Sequence, residues 1–278
     1  MKSKLGKLFV CATPIGNLAD ISERTIKTLS NVNVIAAEDT RVTQKLCQSF
    51  NITTNIISLQ KFNEKKRVST ILNTLTNGHD VALVSDAGTP SLSDPGALLI
   101  QELREHQITI VPIPGASAIS TLLSVAGVTT DQYIFGGFFP RKQAQATTLL
   151  NTLKSTKMPI LFFESPNRIV ATITWLESQN IVNQCIIGKE LTKTYETIIT
   201  GSITAALQQL GEIPIKGEFS FIITFKQQET DINKDFLKTC LDQGLTKKQI
   251  TALTTQLNYP KNKVYDVLLE LDSSSNTV

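Results

Sequence analysis

The chain has 278 residues, 41% of them apolar and 18% charged, with a formal net charge of +3. That length holds two ordinary domains with sizeable cores, and so mild a charge permits an anionic partner without requiring one. Four scattered cysteines with no C-x-x-C pair, and only two histidines, exclude a zinc site and a disulfide framework and fit reduced thiols in a cytoplasmic protein.

The lysines at positions 2, 4 and 7 precede an apolar stretch at 8–12 that is too short for a signal core and reads as a first strand. No apolar run approaches the length of a transmembrane helix, so a soluble protein with no membrane association is expected. Through the first half, strands are predicted at 7–13, 32–36, 56–59, 81–85 and 108–111, alternating with helices at 22–30, 40–50, 64–76, 94–106 and 116–126. The alternation predicts a parallel, doubly wound α/β sheet. His79 falls in the turn 77–80 and His106 closes a helix, where a cation suits the dipole.

Beyond residue 127 the order changes, with strands at 133–138, 159–164, 184–190, 196–200 and 219–225 and helices at 143–154, 168–179 and 203–210. Two strands adjoin without a helix, which predicts a mixed sheet containing a hairpin. A polar linker at 227–233 leads to three short helices at 234–243, 246–257 and 261–271, and residues 273–276 are expected to fray. The expected domains are therefore 1–127, 128–228 and 234–272. The tail carries four lysines and no acid from Gly244 to Lys263. Its layout is that of a helix-turn-helix with a basic surface, in which Lys247 and Lys248 would contact nucleic acid; a capping bundle with solvated lysines is the alternative.

In a parallel sheet the loops that follow the strands converge on one edge, so segments far apart in sequence share a crevice. The most informative is Ser-Asp-Ala-Gly-Thr-Pro-Ser-Leu-Ser-Asp-Pro-Gly at 85–96, a stiff rim of small residues after a buried strand. Asp94 followed by Pro95 reads as a helix N-cap, whereas Asp86 either binds a ligand or satisfies turn amides. Further candidates are Thr13-Pro14-Ile15-Gly16-Asn17-Leu18, Glu38-Asp39-Thr40-Arg41, Pro112-Ile113-Pro114-Gly115-Ala116-Ser117, Glu164-Ser165-Pro166-Asn167-Arg168 and Lys189-Glu190-Leu191-Thr192-Lys193. Asp39 either caps the helix from Thr40 or acts chemically, and Lys189 with Glu190 either turns a hairpin corner or belongs to the site. The chain has no G-x-G-x-x-G, no P-loop and no G-x-S-x-G, which argues against a nicotinamide dehydrogenase, a P-loop enzyme and a serine hydrolase.

In their order and spacing these segments, with Gly217-Glu218 and the helical tail, resemble the tetrapyrrole-methylase superfamily over nearly the whole chain, and within it the ribosomal RNA small subunit methyltransferase I family. Asn167 departs from the pattern, standing where many relatives have histidine. The resemblance implies a two-lobed fold with S-adenosylmethionine between the lobes, a homodimer, and methylation of a cytidine 2′-hydroxyl in small-subunit ribosomal RNA or the 30S subunit. By the same resemblance Pro14, Asp86, Ala87, Gly88, Ser117, Ala118, Glu164 and Leu191 are expected at the cofactor. Arg41 and Lys193 are expected at the RNA, and Lys189, Glu190 and Asp39 at the proton transfer. Two other readings stay open: a methyltransferase for a corrin precursor or a protein histidine, and a catalytically silent RNA-binding protein.

Overall fold

The computed structural model describes the chain except residues 1–4, 61, 227–232, 257–258, 260 and 276–278. Lys2, Lys4 and the expected linker, apart from Asn233, lie outside the described residues. Met1–Lys226 form one compact unit and Gln227–Val278 a second.

The first unit opens with β1 (Leu8–Cys11), α1 (Glu23–Asn31), β2 (Val34–Ala37), α2 (Thr40–Ser49), β3 (Asn55–Ser58), α3 (Glu64–Thr76), β4 (Val81–Val84), α4 (Ala97–Glu105), β5 (Ile110–Ile113) and α5 (Ala118–Val125). The five strands make an all-parallel sheet in the order β3-β2-β4-β1-β5. Such a sheet must be covered on both faces. Leu8, Ala36 and Leu83 pack with Leu75, Leu99 and Leu103 on the side of α3 and α4. Cys11, Ile35 and Val84 pack with Leu29 and Cys47 on the side of α1 and α2. β5 runs through Pro112, two residues past its predicted end, because it is the edge strand and its outward side needs no amide donor.

The chain continues with β6 (Ile134–Phe138), α6 (Gln143–Leu153), β7 (Ile160–Glu164), α7 (Ile169–Ser178), β8 (Val182–Lys189), β9 (Thr197–Ser202), α8 (Ile203–Gly211) and β10 (Phe219–Phe225). These strands form a second sheet in the order β6-β7-β10-β8-β9. β6 and β7 are parallel, the other pairs antiparallel, and β8–β9 is the predicted hairpin. One face carries Phe162, Ile187 and Phe221 beneath α6, α7 and α8. The other carries Leu161, Ile186 and Ile222 against Ile119 and Leu122 of α5, Ile15 and Leu191. α5 thus binds the second sheet to the loops of the first, each buried leucine or isoleucine contributing about 1.5–3 kcal/mol.

The second unit comprises α9 (Lys234–Asp242), α10 (Lys247–Gln256) and α11 (Lys261–Ser275) around Leu237, Ile250, Val264 and Leu268. Asn233 caps α9 by accepting from the Phe236 amide. α11 is helical through Ser275, and Asn276 lies outside the described residues. Among the described residues no helix is long and apolar enough to cross a membrane.

One cap departs from expectation. α4 begins at Ala97, behind Gly96 at φ 125°, and not at Asp94. A Cβ on Gly96 would meet Leu83 Cδ2 at 2.8 Å, so the turn is reserved for glycine. With Ser91 and Ser93 also left-handed, the chain is still turning at Asp94. The first amides of α4 are satisfied from afar: the buried Glu64 Oε1 accepts from Gly96 N and Leu99 N, both at 3.1 Å. A carboxylate at a helix N-terminus also meets the positive end of the dipole. Glu64→Ala is expected to cost about 1–3 kcal/mol in urea unfolding, and Glu64→Gln less because an acceptor oxygen remains; equal stability of the wild type and Glu64→Ala would refute this role.

Candidate functional site

Three loops at the carboxyl edge of the first sheet form one lip of a cavity. The loop after β1 is clasped to the loop after β4 by a two-way bridge, Thr13 N to Gly88 O at 2.9 Å and Gly88 N to Thr13 O at 3.1 Å. The buried Thr13 hydroxyl adds a bond to Ser85 O at 3.1 Å. Ile15, Ala87, Gly88, Leu92, Ser117 and Ala118 border the space from this side. The opposite lip comes from the second sheet: Phe138, Phe163, Gly188, Leu191, Glu218 and Ser220. The enclosed volume is about 230 Å³. The lips touch where Asn17 N donates to Thr192 Oγ1 at 3.1 Å.

Strand alternation decides which side chains of the second sheet reach this space. Ser220 is in register with Phe163 on one side and Gly188 on the other, so these three form a row on the face of Leu161, Ile186 and Ile222. The row is small in its middle, and that leaves the room. A Cβ on Gly188 would meet Leu122 Cδ1 and Leu191 Cδ2, each at 2.9 Å. Ser220 is 3% exposed, and its hydroxyl is a buried side-chain polar atom with no hydrogen-bond partner among the described residues. Burying a hydroxyl unpaired costs about 1–3 kcal/mol, so the Ser220 hydroxyl is an unmet hydrogen-bonding group in the cavity wall.

The expected cofactor residues Ala87, Gly88, Ser117, Ala118, Glu164 and Leu191 all border the cavity; Pro14 and Asp86 do not. Pro14 is buried beside Ile15. Asp86 Oδ1 accepts from Asp39 N at 2.9 Å, which ties β4 to the neighbouring β2 turn, and burial raises its pKa. The Glu164 carboxylate is held by three donors. It accepts from Ser165 N at 2.8 Å, from the Thr172 hydroxyl at 2.8 Å and from Arg168 at 3.0 Å, on the face of Phe162.

The three residues expected at the proton transfer lie elsewhere. Lys189 is in register with Phe219 and follows Gly188, so its side chain starts on the face away from the cavity. Glu190 sits at φ 51°, and its Oε1 accepts from Lys193 Nζ at 2.7 Å and Glu218 N at 2.9 Å. Burial opposes its charge, but the Lys193 hydrogen bond, the Glu218 amide and the nearby Lys193 and Lys189 charges prevail and lower its pKa. Asp39 is the N-cap of α2 and grips Arg41 through two bonds, Nε to Oδ1 at 3.1 Å and NH2 to Oδ2 at 2.6 Å. The Arg41 guanidinium and amide hold the Asp39 carboxyl down at about 2. A carboxylate with so low a pKa is a poor base near neutrality.

Among the residues expected at RNA, Arg41 keeps the far edge of its guanidinium toward solvent, its side chain being 85% exposed. Lys193 is held by Glu190 and, at 3.1 Å, by Glu218; burial works against its charge, yet both carboxylates raise its pKa. Lys247 and Lys248 open α10 in the second unit. The residues missed were Gly188, Ser220, Phe163 and Phe138; period-two alternation along the strands singles out the first three, while a bulge in β6 puts Phe138 out of that parity.

The family described as Tetrapyrrole (Corrin/Porphyrin) Methylases matches residues 7–207. The Synechocystis sp. protein named "Ribosomal RNA small subunit methyltransferase I" is 38% identical over 97% of this chain and 99% of the relative. Proteins of the same name from Bacillus subtilis (strain 168) and Escherichia coli O157:H7 are 35% and 38% identical, each over 95% of this chain, covering 94% and 95% of those relatives. In fold the chain is similar to a diphthine synthase, with TM-score 0.62 at 14% identity over 78% of this chain and 89% of that one. It is also similar to a cobalt precorrin-4 methyltransferase, with TM-score 0.59 at 16% identity over 78% of this chain and 94% of that one. On this full-length likeness the chain belongs to the tetrapyrrole methylases and, within them, to the ribosomal RNA small subunit methyltransferase I family.

Proposed function

We propose that the protein transfers a methyl group from S-adenosylmethionine to the 2′-hydroxyl of a cytidine in small-subunit (16S) ribosomal RNA. The observation that carries the reading is the orphaned Ser220 hydroxyl in a cavity walled by both sheets. The lining suits a nucleoside sulfonium with no phosphate: backbone and small side chains at 87–88 and 117–118, apolar Ile15 and Leu191, and one unpaired hydroxyl. When bound, the donor supplies an electrophilic methyl, so the chain's work is to hold donor and acceptor at attack distance, exclude water and accept a proton. The names of the full-length relatives support ribosomal RNA as acceptor. This reading places the protein with the ribosomes in the cytoplasm, and a homodimer belongs to it as the resemblance implies.

Within the proposal, Asp39 and Asp86 become supports for Arg41. Asp86 anchors the Asp39 backbone, Asp39 fixes the guanidinium, and the free edge of Arg41 meets an RNA phosphate. Lys193, paired with two carboxylates, holds the rim in place. The proton passes to a carboxylate that borders the cavity, Asp94 or Glu218.

Labelled S-adenosylmethionine incubated with small ribosomal subunits or with deproteinised RNA tests the assignment: label is expected in a cytidine ribose. Label in ribosomal protein alone, or RNA retained without label, would contradict it. Ser220→Ala is expected to weaken donor binding by about 2- to 12-fold in calorimetry, the equivalent of one hydrogen bond at about 0.5–1.5 kcal/mol, without lowering the unliganded protein's stability. Ser220→Leu fills the space and is expected to abolish donor binding; donor affinity unchanged in both variants would move the site elsewhere. Asp94→Asn and Glu218→Gln distinguish the proton acceptors. The acting carboxylate loses about 100-fold or more in kcat with donor binding retained, and unchanged kcat in both would assign the proton to solvent.

A further inference from the structure

Phe138 is 60% exposed, yet it lines the mouth of the cavity and is held there by an unusual amount of structure. Phe135 pairs with Leu161 and Phe138 with Phe163, so three steps along β6 match two along β7: a bulge in a parallel pair. Two glycines make it possible. Gly137 has φ 68°, and a Cβ on Gly136 would overlap the Phe162 ring. Without the extra residue, Phe138 would fall on the far face of the sheet; with it, the ring stands on the cavity face, edge-on to Phe163 at 5.7 Å between centroids.

The backbone beyond it is clamped as well. Arg168, paired with the buried Glu164 at 3.0 Å, donates to Phe139 O at 2.9 Å and Pro140 O at 3.2 Å. Glu164 is in turn fixed by Thr172 and the Ser165 amide. A bulge, two glycines and a hydrogen-bonded ion pair thus converge to hold one aromatic ring in water beside the cavity. Bulges that re-aim a side chain next to a binding site are built features, and an exposed ring gains only when something covers it.

We propose that Phe138 is the platform on which the base of the target nucleotide stacks, so that its ribose hydroxyl is presented to the methyl donor. This rests on the RNA reading above. The occupant is argued from position and charge. The small, deep part of the cavity at Ser117, Gly188 and Ser220 suits the donor, while a ring standing at the mouth meets a molecule that stays largely outside, as a polynucleotide does. Leu92, also exposed, lines the opposite lip and offers a second apolar surface to a base. Arg41, tied through Asp39 to Asp86, the residue preceding Ala87 of that lip, gives the adjoining phosphate backbone a cationic partner. A base drawn out of its stack is what such a slot receives.

The test compares wild type, Phe138→Ala, Phe138→Leu and Phe138→Trp in kcat/KM for small ribosomal subunits, with the S-adenosylmethionine Kd measured alongside by calorimetry. Phe138→Ala and Phe138→Leu are expected to lose about tenfold or more in kcat/KM, as for removal of one stacking partner, with the donor Kd within about twofold. Phe138→Trp, which keeps a π-face, is expected to stay within about threefold of wild type. Phe138→Leu preserves apolar bulk, so its loss reports stacking and not packing. Unchanged kcat/KM in Phe138→Leu, or a loss matched by an equal loss in donor affinity, would overturn this inference alone. No ribose methylation by the wild type would overturn the substrate reading and this inference together.

Discussion

The cavity depends on one apolar seam. α5 leaves the edge strand of the first sheet and lays Ile119 and Leu122 on Leu161, Ile186 and Ile222 of the second, with Ile15 and Leu191 closing the same cluster. That burial sets the distance between the lips, because both are attached to it. Ser117 and Ala118 begin α5, Ile15 continues the loop clasped by Thr13 to Gly88, and Leu191 follows β8. Gly188 shows how close the fit is, since Leu122 and Leu191 would both touch a methyl group placed there. The seam thus supplies stability and leaves an opening where its residues become small.

From this constraint follows a separation of duties between the faces of the second sheet. Toward α6, α7 and α8 lie the large rings and the charged clamp of Glu164 with Arg168; toward the cavity lie Phe163, Ser220 and Gly188. Charges that look catalytic in a linear reading are engaged in contacts that hold the loops. Glu190 joins its loop to the Glu218 turn, Lys193 bridges two carboxylates, and Asp39 caps α2 while holding Arg41. The cavity is bordered mainly by small and apolar side chains, with Asp94 and Glu218 at its edge and no lysine or arginine among the described residues of its lining. Arg41 and Lys193 stand outside that lining.

Much of the fold was legible because the signal was periodic. Apolar runs alternating with helical patterns predicted the parallel sheet, and two adjacent runs without a helix predicted the hairpin of β8 and β9. Errors came where tertiary context overrode local grammar. Pro112 ended a strand on paper but not at a sheet edge, and Asp94 looked like a cap while the cap came from Glu64, more than thirty residues earlier. At the site, the loops that gather were legible from strand ends, and Gly88, Ser117 and Leu191 do share one space. Which side chains face that space was not, because attention to charge favoured Lys189 over Gly188, and one step of alternation places the two on opposite faces. Phe138 was hidden for a related reason, since a bulge shifts the parity that a regular strand would have.

The central claim is that both sheets enclose one donor site with Ser220 on its wall. A crystal structure of the protein with S-adenosylhomocysteine, the demethylated donor, tests it most directly. The account predicts density between residues 87–88 and 117–118 on one side and the Phe163, Ser220 and Gly188 row on the other, with a polar atom within hydrogen-bond distance of Ser220 Oγ. Density seated elsewhere, with Ser220 Oγ still unpaired, would contradict it.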